Sequence, residues 1–139
     1  MSDLADHPRL ADLREAAFAV MEHAHAPYSG FRVGAALLTQ DGAIVAGCNV
    51  ENAAYPSGIC AERGAVAAAI AGGHREFALL VLASDAEDPT PPCGMCRQVL
   101  VEFAPSLPVV SVSREGRMHH WTMTELLPRP FLPASLAGG

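Results

Sequence analysis

The run FALLVLAS, Phe77 to Ser84, constrains the fold of this chain more than any other stretch. It is apolar at successive positions rather than alternate ones, so as a strand it needs cover on both faces, as a central strand of an α/β sheet has. Its flanks agree. Before it, the chain is Ala-rich from about Ser57 to Ala71, which predicts a helix closed by Gly72-Gly73. After it, the loop DAEDPTPP leads into CGMCRQVLVEF, which predicts a second buried helix.

The remaining elements follow from periodicity and turn chemistry. Leu10, Leu13, Ala17, Val20, Met21 and Ala24 recur at helical spacing, predicting an amphipathic helix over about 8–25 that APYSG breaks. Phe31, Val33, Ala35 and Leu37 alternate with their neighbours as a strand would. Asp41-Gly42 is a hairpin signal, and AIVAGC returns as the second strand. The segment NVENAAYPSG is too polar and too rich in turn formers for regular structure. PVVSVS and MHHWT read as two short strands around the turn REG, and MTELLP as a last helical turn stopped by Pro128. The order α-β-β-α-β-α-β-β predicts an α/β fold, a three-layer α-β-α sandwich with a five-stranded mixed sheet and right-handed crossovers. Length predicts one domain over residues 1–139, with about 132–139 as a loose tail.

Charge and composition narrow the function. The net charge is −6, all nine basic residues are Arg, and no basic cluster occurs. That argues against a polynucleotide partner held by counterion release and favours a small, nearly neutral substrate. The absence of Lys removes Schiff-base and Walker-type chemistry. No apolar run approaches the roughly 18 residues of a membrane span, and the first residues lack a secretory apolar core, so a cytoplasmic protein with reduced thiols is expected. Four cysteines are too few for a disulfide scaffold in a chain of this length, which leaves metal or catalytic use.

Cys60 and Glu62 fall at the start of the Ala-rich helix, and Cys93 and Cys96 at the start of the next. A C-x-x-C pair at a helix start serves zinc sites, redox centres and plain buried thiols alike. In this topology both helices follow strand ends on one edge of the sheet, so three sulfurs could converge. Zinc takes thiolates tetrahedrally, and a catalytic site keeps its fourth position for water. Helix N-termini favour thiolates. The pattern C-A-E followed by P-C-x-x-C is a zinc-deaminase signature in its three-cysteine form.

The motifs PYSGFRVGAAL, GCNVENAAY, CAER, PCGMCRQVL and TELLPRPF occur in register between Pro27 and Phe131. With them the chain resembles the cytidine deaminases of the small, homotetrameric, free-nucleoside class. The resemblance implies zinc-dependent hydrolytic deamination of cytidine and 2′-deoxycytidine, as in pyrimidine salvage, with one zinc per subunit. It implies Cys60, Cys93 and Cys96 as metal ligands and Glu62 as the proton shuttle. It also implies Asn49 and Glu51 at the ribose hydroxyls, Phe31 against the nucleoside, Ala61 and Glu62 at the pyrimidine, and the Pro92 carbonyl near the departing amine. Tyr55 and Phe131 match positions that the family contributes across subunit contacts.

Three thiolates on Zn²⁺ leave a formal negative charge, and Arg63 is the residue placed to offset it. A guanidinium about 4 Å from a thiolate is worth on the order of 4 kcal/mol at an effective dielectric of about 20, before desolvation. Three other readings stand beside this one. They are a blasticidin S-type deaminase, a thiol-disulfide oxidoreductase using Cys93-Cys96, and a closed structural zinc module with Cys48 as fourth ligand.

Overall fold

The structure, a computed structural model, describes residues 2–136. Five strands, β1 (Val33–Thr39), β2 (Ile44–Cys48), β3 (Phe77–Ser84), β4 (Val109–Val112) and β5 (Met118–Trp121), form one sheet in the order β2-β1-β3-β4-β5. Only β3 and β4 run parallel; the other pairs are antiparallel, so the sheet is mixed. The central position of β3 is what its unbroken apolar run requires. Leu79, Leu80 and Val81 are all fully buried, with successive residues facing opposite layers.

Helix α2 (Leu10–Met21) covers one face, packing Leu13 and Ala17 against Leu79, Val81 and Val110. Helices α3 (Ala61–Ala71) and α4 (Gly94–Phe103) cover the other, where Ala65, Leu100 and Leu107 meet Leu80, Leu82 and Val109. This is the expected three-layer α-β-α sandwich. Burying a Leu or Val side chain of this kind contributes roughly 1.5–3 kcal/mol before the entropy of ordering it is subtracted. Strand β1, expected to alternate, is buried at six successive positions because α2 and α3 cover its two faces.

Several boundaries move, each for a local reason. The first long helix ends at Met21 rather than near 25, because the His25 backbone is taken up by Asn49 and Glu51. The Ala-rich helix begins at Ala61, not Ser57. Tyr55–Ser57 form a single 3-10 turn, and Ile59 pairs with Val50 in extended backbone. The segment expected to be irregular therefore carries two bridges, His25 to Val50 and Val50 to Ile59. A short helix α1 (Ser2–Ala5) was not foreseen. The turn α5 (Met123–Leu126) begins with a capping box between Thr122 and Glu125. Where a loose tail was expected from about Leu132, a helical turn α6 (Pro133–Leu136) forms; residues 137–139 lie outside the described range.

One glycine sets the height of α3 above the sheet. A Cβ on Gly47 would lie 2.4 Å from the Ala65 amide nitrogen and 2.7 Å from the Ala61 carbonyl oxygen. Helix and strand approach backbone to backbone, which the small residues Ala61, Ala65 and Ala69 permit. That contact fixes the first turn of α3, and with it Cys60 and Glu62. Among the described residues no helix is long and apolar enough to cross a membrane.

Candidate active site

Cys60 and Cys93 are the N-cap residues of α3 and α4, both in extended backbone, and Cys96 sits within the first turn of α4. The ends of the two helices bring the three sulfurs within 4.8 Å of one another, Cys60 to Cys93 at 3.7 Å and Cys93 to Cys96 at 3.4 Å. A tetrahedral metal with sulfurs at about 2.3 Å spaces them by about 3.8 Å, so this donor set is positioned to hold such an ion. Cys48, at the end of β2, is not part of the cluster. The Cys93-Cys96 pair does not stand apart as a redox pair would, since Cys60 closes on it.

Three sulfurs this close cannot all ionise by themselves. The Cys60 thiol is pushed down to about 5, chiefly because the Cys96 thiol donates to it, with Arg63 adding to the effect and burial opposing it. Cys96 is pushed up, first by that same bond and then by its burial. The Arg63 guanidinium stands 3.9 Å from the Cys60 sulfur through Nη2, which also donates to the Gly58 carbonyl at 3.3 Å. Its Nε is buried and has no partner among the described residues.

Glu62 is the one buried carboxylate of the described residues, only 5% exposed, in the first turn of α3. Burial pushes its carboxyl up to about 7, against a bond from its own backbone amide; Cys60 adds to the rise and Arg63 reduces it. Both Glu62 and fully buried Ala61 line a cavity of about 430 Å³ shared with Cys60 and Cys93. The Ala61 amide, at the first position of the helix, has no acceptor within the helix and is free to meet a ligand.

Phe31, Asn49, Glu51 and Tyr55 line the same cavity. Asn49 is already engaged: its Oδ1 accepts from the Val33 amide at 2.9 Å and its Nδ2 donates to the Phe31 carbonyl at 2.8 Å. One amide hydrogen remains for another acceptor. The Glu51 carboxylate accepts from the amides of Tyr28 and Ser29 and from the Ser29 hydroxyl, and these bonds, the hydroxyl first, hold it below the usual carboxylate range. Tyr55 is 74% exposed and meets Tyr28 edge-on at 5.9 Å.

Two expected residues stand outside the cavity lining. Pro92 is buried, with Pro91 on the wall instead, and its carbonyl accepts from Arg97 Nε at 2.7 Å. Phe131 is more than half exposed on the surface, its carbonyl accepting from Gln98 Nε2 at 2.6 Å.

The family model described as the cytidine and deoxycytidylate deaminase zinc-binding region matches residues 9–112. The chain belongs to this deaminase family. A cytidine deaminase of Sporosarcina psychrophila is 46% identical over 117 residues, 84% of this chain and 86% of that protein. The solved cytidine deaminase of Burkholderia pseudomallei superposes with a TM-score of 0.85 at 46% identity, covering 88% of this chain and 98% of that one. The blasticidin-S deaminase of Bacillus cereus is more distant, 32% identical over 104 residues.

In this family member, four lining or supporting residues escaped the sequence reading. Ser29 lay in plain view in PYSGF, but its bond to Glu51 joins segments more than twenty residues apart. Ser84, Thr90 and Ser111 sit in the β3–β4 wall of the cavity. PVVSVS reads as a short strand, which says nothing of a cavity bordering the Ser111 face.

Proposed function

We propose that the chain catalyses the zinc-dependent hydrolytic deamination of cytidine and 2′-deoxycytidine, releasing ammonia and leaving uridine or 2′-deoxyuridine. The observation that carries this reading is a buried carboxylate, Glu62, two residues after the first of three converged sulfurs and lining, with Cys60 and Cys93, a cavity of nucleoside dimensions. Cys60, Cys93 and Cys96 would hold the ion. Zinc bound there supplies a Lewis acid that brings the pKa of a water toward about 7.

The chain's own residues do the rest. Glu62 takes a proton from the attacking water and gives it to ring N3, which makes C4 electrophilic. The water's oxygen adds to C4. Glu62 then carries the second proton to the amine, which leaves as ammonia while C4 becomes a carbonyl. The Ala61 amide meets O2, and Phe31 packs on the nucleoside. Asn49, through its remaining amide hydrogen, and Glu51 hold the ribose hydroxyls. The Pro92 carbonyl, already bound by Arg97, receives the departing amine through its second lone pair. Arg63 offsets the charge of three thiolates.

The working enzyme is a cytoplasmic homotetramer in pyrimidine salvage, in which Tyr55 and Phe131 of neighbouring subunits close the pocket. Their exposure in the single chain, with Tyr28 and Val50 also exposed near the cavity mouth, supports that assembly. The test is the ultraviolet absorbance change of cytidine with zinc-loaded protein, wild type against Glu62→Ala. Turnover that is lost in the variant is expected; a robust rate in Glu62→Ala overturns the mechanism. Blasticidin S in the same assay separates the alternative substrate.

A further inference from the structure

The cavity crosses the edge of the sheet, and its walls are chemically unlike. Over β2 and β1 stand Asn49, Glu51 and Phe31; the first turn of α3 contributes Ala61 and Glu62. Over β3 and β4 the wall is Leu82, Ser84 and Ser111, with Thr90 from the following loop. Leu82 and Ser111 are paired across the two strands, and their neighbours Leu80 and Val109 face the same helical layer. Ser111 is fully buried, and its Oγ has no partner among the described residues. Ser113, two residues along the same face, shows the contrast, since its hydroxyl accepts from the Arg117 amide. Ser84, 1% exposed, accepts from the Ala86 amide at 3.3 Å and lies 3.4 Å from the Thr90 hydroxyl; whichever of the two hydroxyls donates to the other, one proton of the pair remains to be given.

A buried hydroxyl left unpaired is costly, and a strand of valines would lose nothing in packing by carrying one more apolar residue there. A hydroxyl that faces a binding cavity finds its partner in what binds. The orientation of a cytosine nucleoside then decides which part meets it. With C4 toward the sulfurs, N3 and O2 toward the first turn of α3, and N1 carrying the sugar toward Asn49 and Glu51, the edge left over is C5. The wall left over is that of β3 and β4.

We propose that the Ser84, Thr90 and Ser111 hydroxyls form a polar subsite in the β3–β4 wall that takes a small hydrogen-bonding substituent at C5 of a cytosine nucleoside. This rests on the deaminase reading for the orientation of the base. A wall built to hydrogen-bond discriminates against an analogue that lacks the matching group, because its own polar atoms are then left unpaired.

The experiment compares 5-hydroxymethylcytidine with 5-methylcytidine on the zinc-loaded full-length protein, in wild type, Ser111→Ala and Ser84→Ala. The wild type is expected to favour the hydroxymethyl compound in kcat/KM by about tenfold, or roughly 1.4 kcal/mol. Ser111→Ala brings that ratio toward unity, and Ser84→Ala lowers it. No preference in the wild type, or a preference that survives in both variants, overturns the subsite. The same ratio is read without turnover from how strongly each nucleoside raises the thermal midpoint. A thermal preference lost in Ser111→Ala, in a protein that does not deaminate cytidine, supports the subsite and overturns the reaction proposed above.

Discussion

Cys60 and Cys93 each cap a helix, and their sulfurs stand 3.7 Å apart although 33 residues separate them. Neither side chain makes a capping hydrogen bond, so both sulfurs are turned to a common point rather than spent on their own helices. Replacing Cys60, Cys93 or Cys96 by Ala is therefore expected to take bound metal to background after dialysis, measured by elemental analysis. Cys48→Ala is expected to keep a full equivalent, because Cys48 lies outside the cluster. A loss of metal in Cys48→Ala would restore the closed four-cysteine reading.

Arg63 is the cation nearest this sulfur cluster, with Nη2 3.9 Å from Cys60. It sits in the first turn of a helix, where the dipole alone disfavours a positive charge. Arg63→Ala is expected to weaken metal binding about tenfold, the lower end of the range for groups that support metal ligands. Competition with a chromophoric chelator measures it. Because Arg63 helps to hold the Cys60 thiol down, protons compete better in the variant, so the loss should grow as the pH falls. Affinity equal to wild type at every pH would remove Arg63 from the metal's support.

The parts of this site that are local in sequence were readable from it. FALLVLAS as β3, and CGMC as the cap and first turn of α4, need only periodicity and spacing. What was not readable depends on distant segments meeting. The Ala-rich composition extended α3 back to Ser57, but Ile59 answers to Val50 across the chain instead. Asn49 was expected at a ribose hydroxyl or as a turn former after a strand, and what its amide does is staple the entry to β1 through Phe31 and Val33. Ser111 differs from Ser113 only by what faces it. No pattern within one strand reports that.

Arg32 and Asp85 give a pH-dependent element away from the metal. The guanidinium holds the carboxylate at two points, Nε to Oδ2 at 2.9 Å and Nη2 to Oδ1 at 3.3 Å, tying the segment before β1 to the end of β3. The hydrogen bonds from Arg32, more than burial can oppose, hold Asp85 below its ordinary range. A carboxyl lowered in the folded state contributes stability that is complete above its unfolded value of about 3.9 and lost as the pH falls through the folded one. Asp85→Asn is thus expected to lower the thermal midpoint at pH 7 by about 3 °C, for a pair worth at most about 1 kcal/mol with its Arg partly exposed. The gap should stay constant down to pH 5 and close only below about 4. A gap that narrows between pH 7 and 5 would assign the stabilisation elsewhere.

Gly47 couples the stability of the fold to the geometry of the site. A methyl group there meets only backbone: the Ala65 nitrogen at 2.4 Å, the Ala61 carbonyl oxygen at 2.7 Å and the Gly64 carbonyl carbon at 2.9 Å. No side chain can rotate away, so α3 must lift from β2 and carry Cys60 and Glu62 with it. Gly47→Ala is expected to cost about 1–3 kcal/mol, the range for overpacking a close contact, read from urea unfolding. It should also weaken metal binding and slow cytidine turnover in whatever fraction stays folded. Gly34→Ala is the control, because its methyl would strike the Ala17 carbonyl oxygen of α2, on the opposite face of the sheet. That variant is expected to lose stability while its folded fraction keeps wild-type metal affinity. Equal losses of metal affinity in both variants would mean that the sheet, rather than the seat of α3 on Gly47, sets the position of the sulfurs.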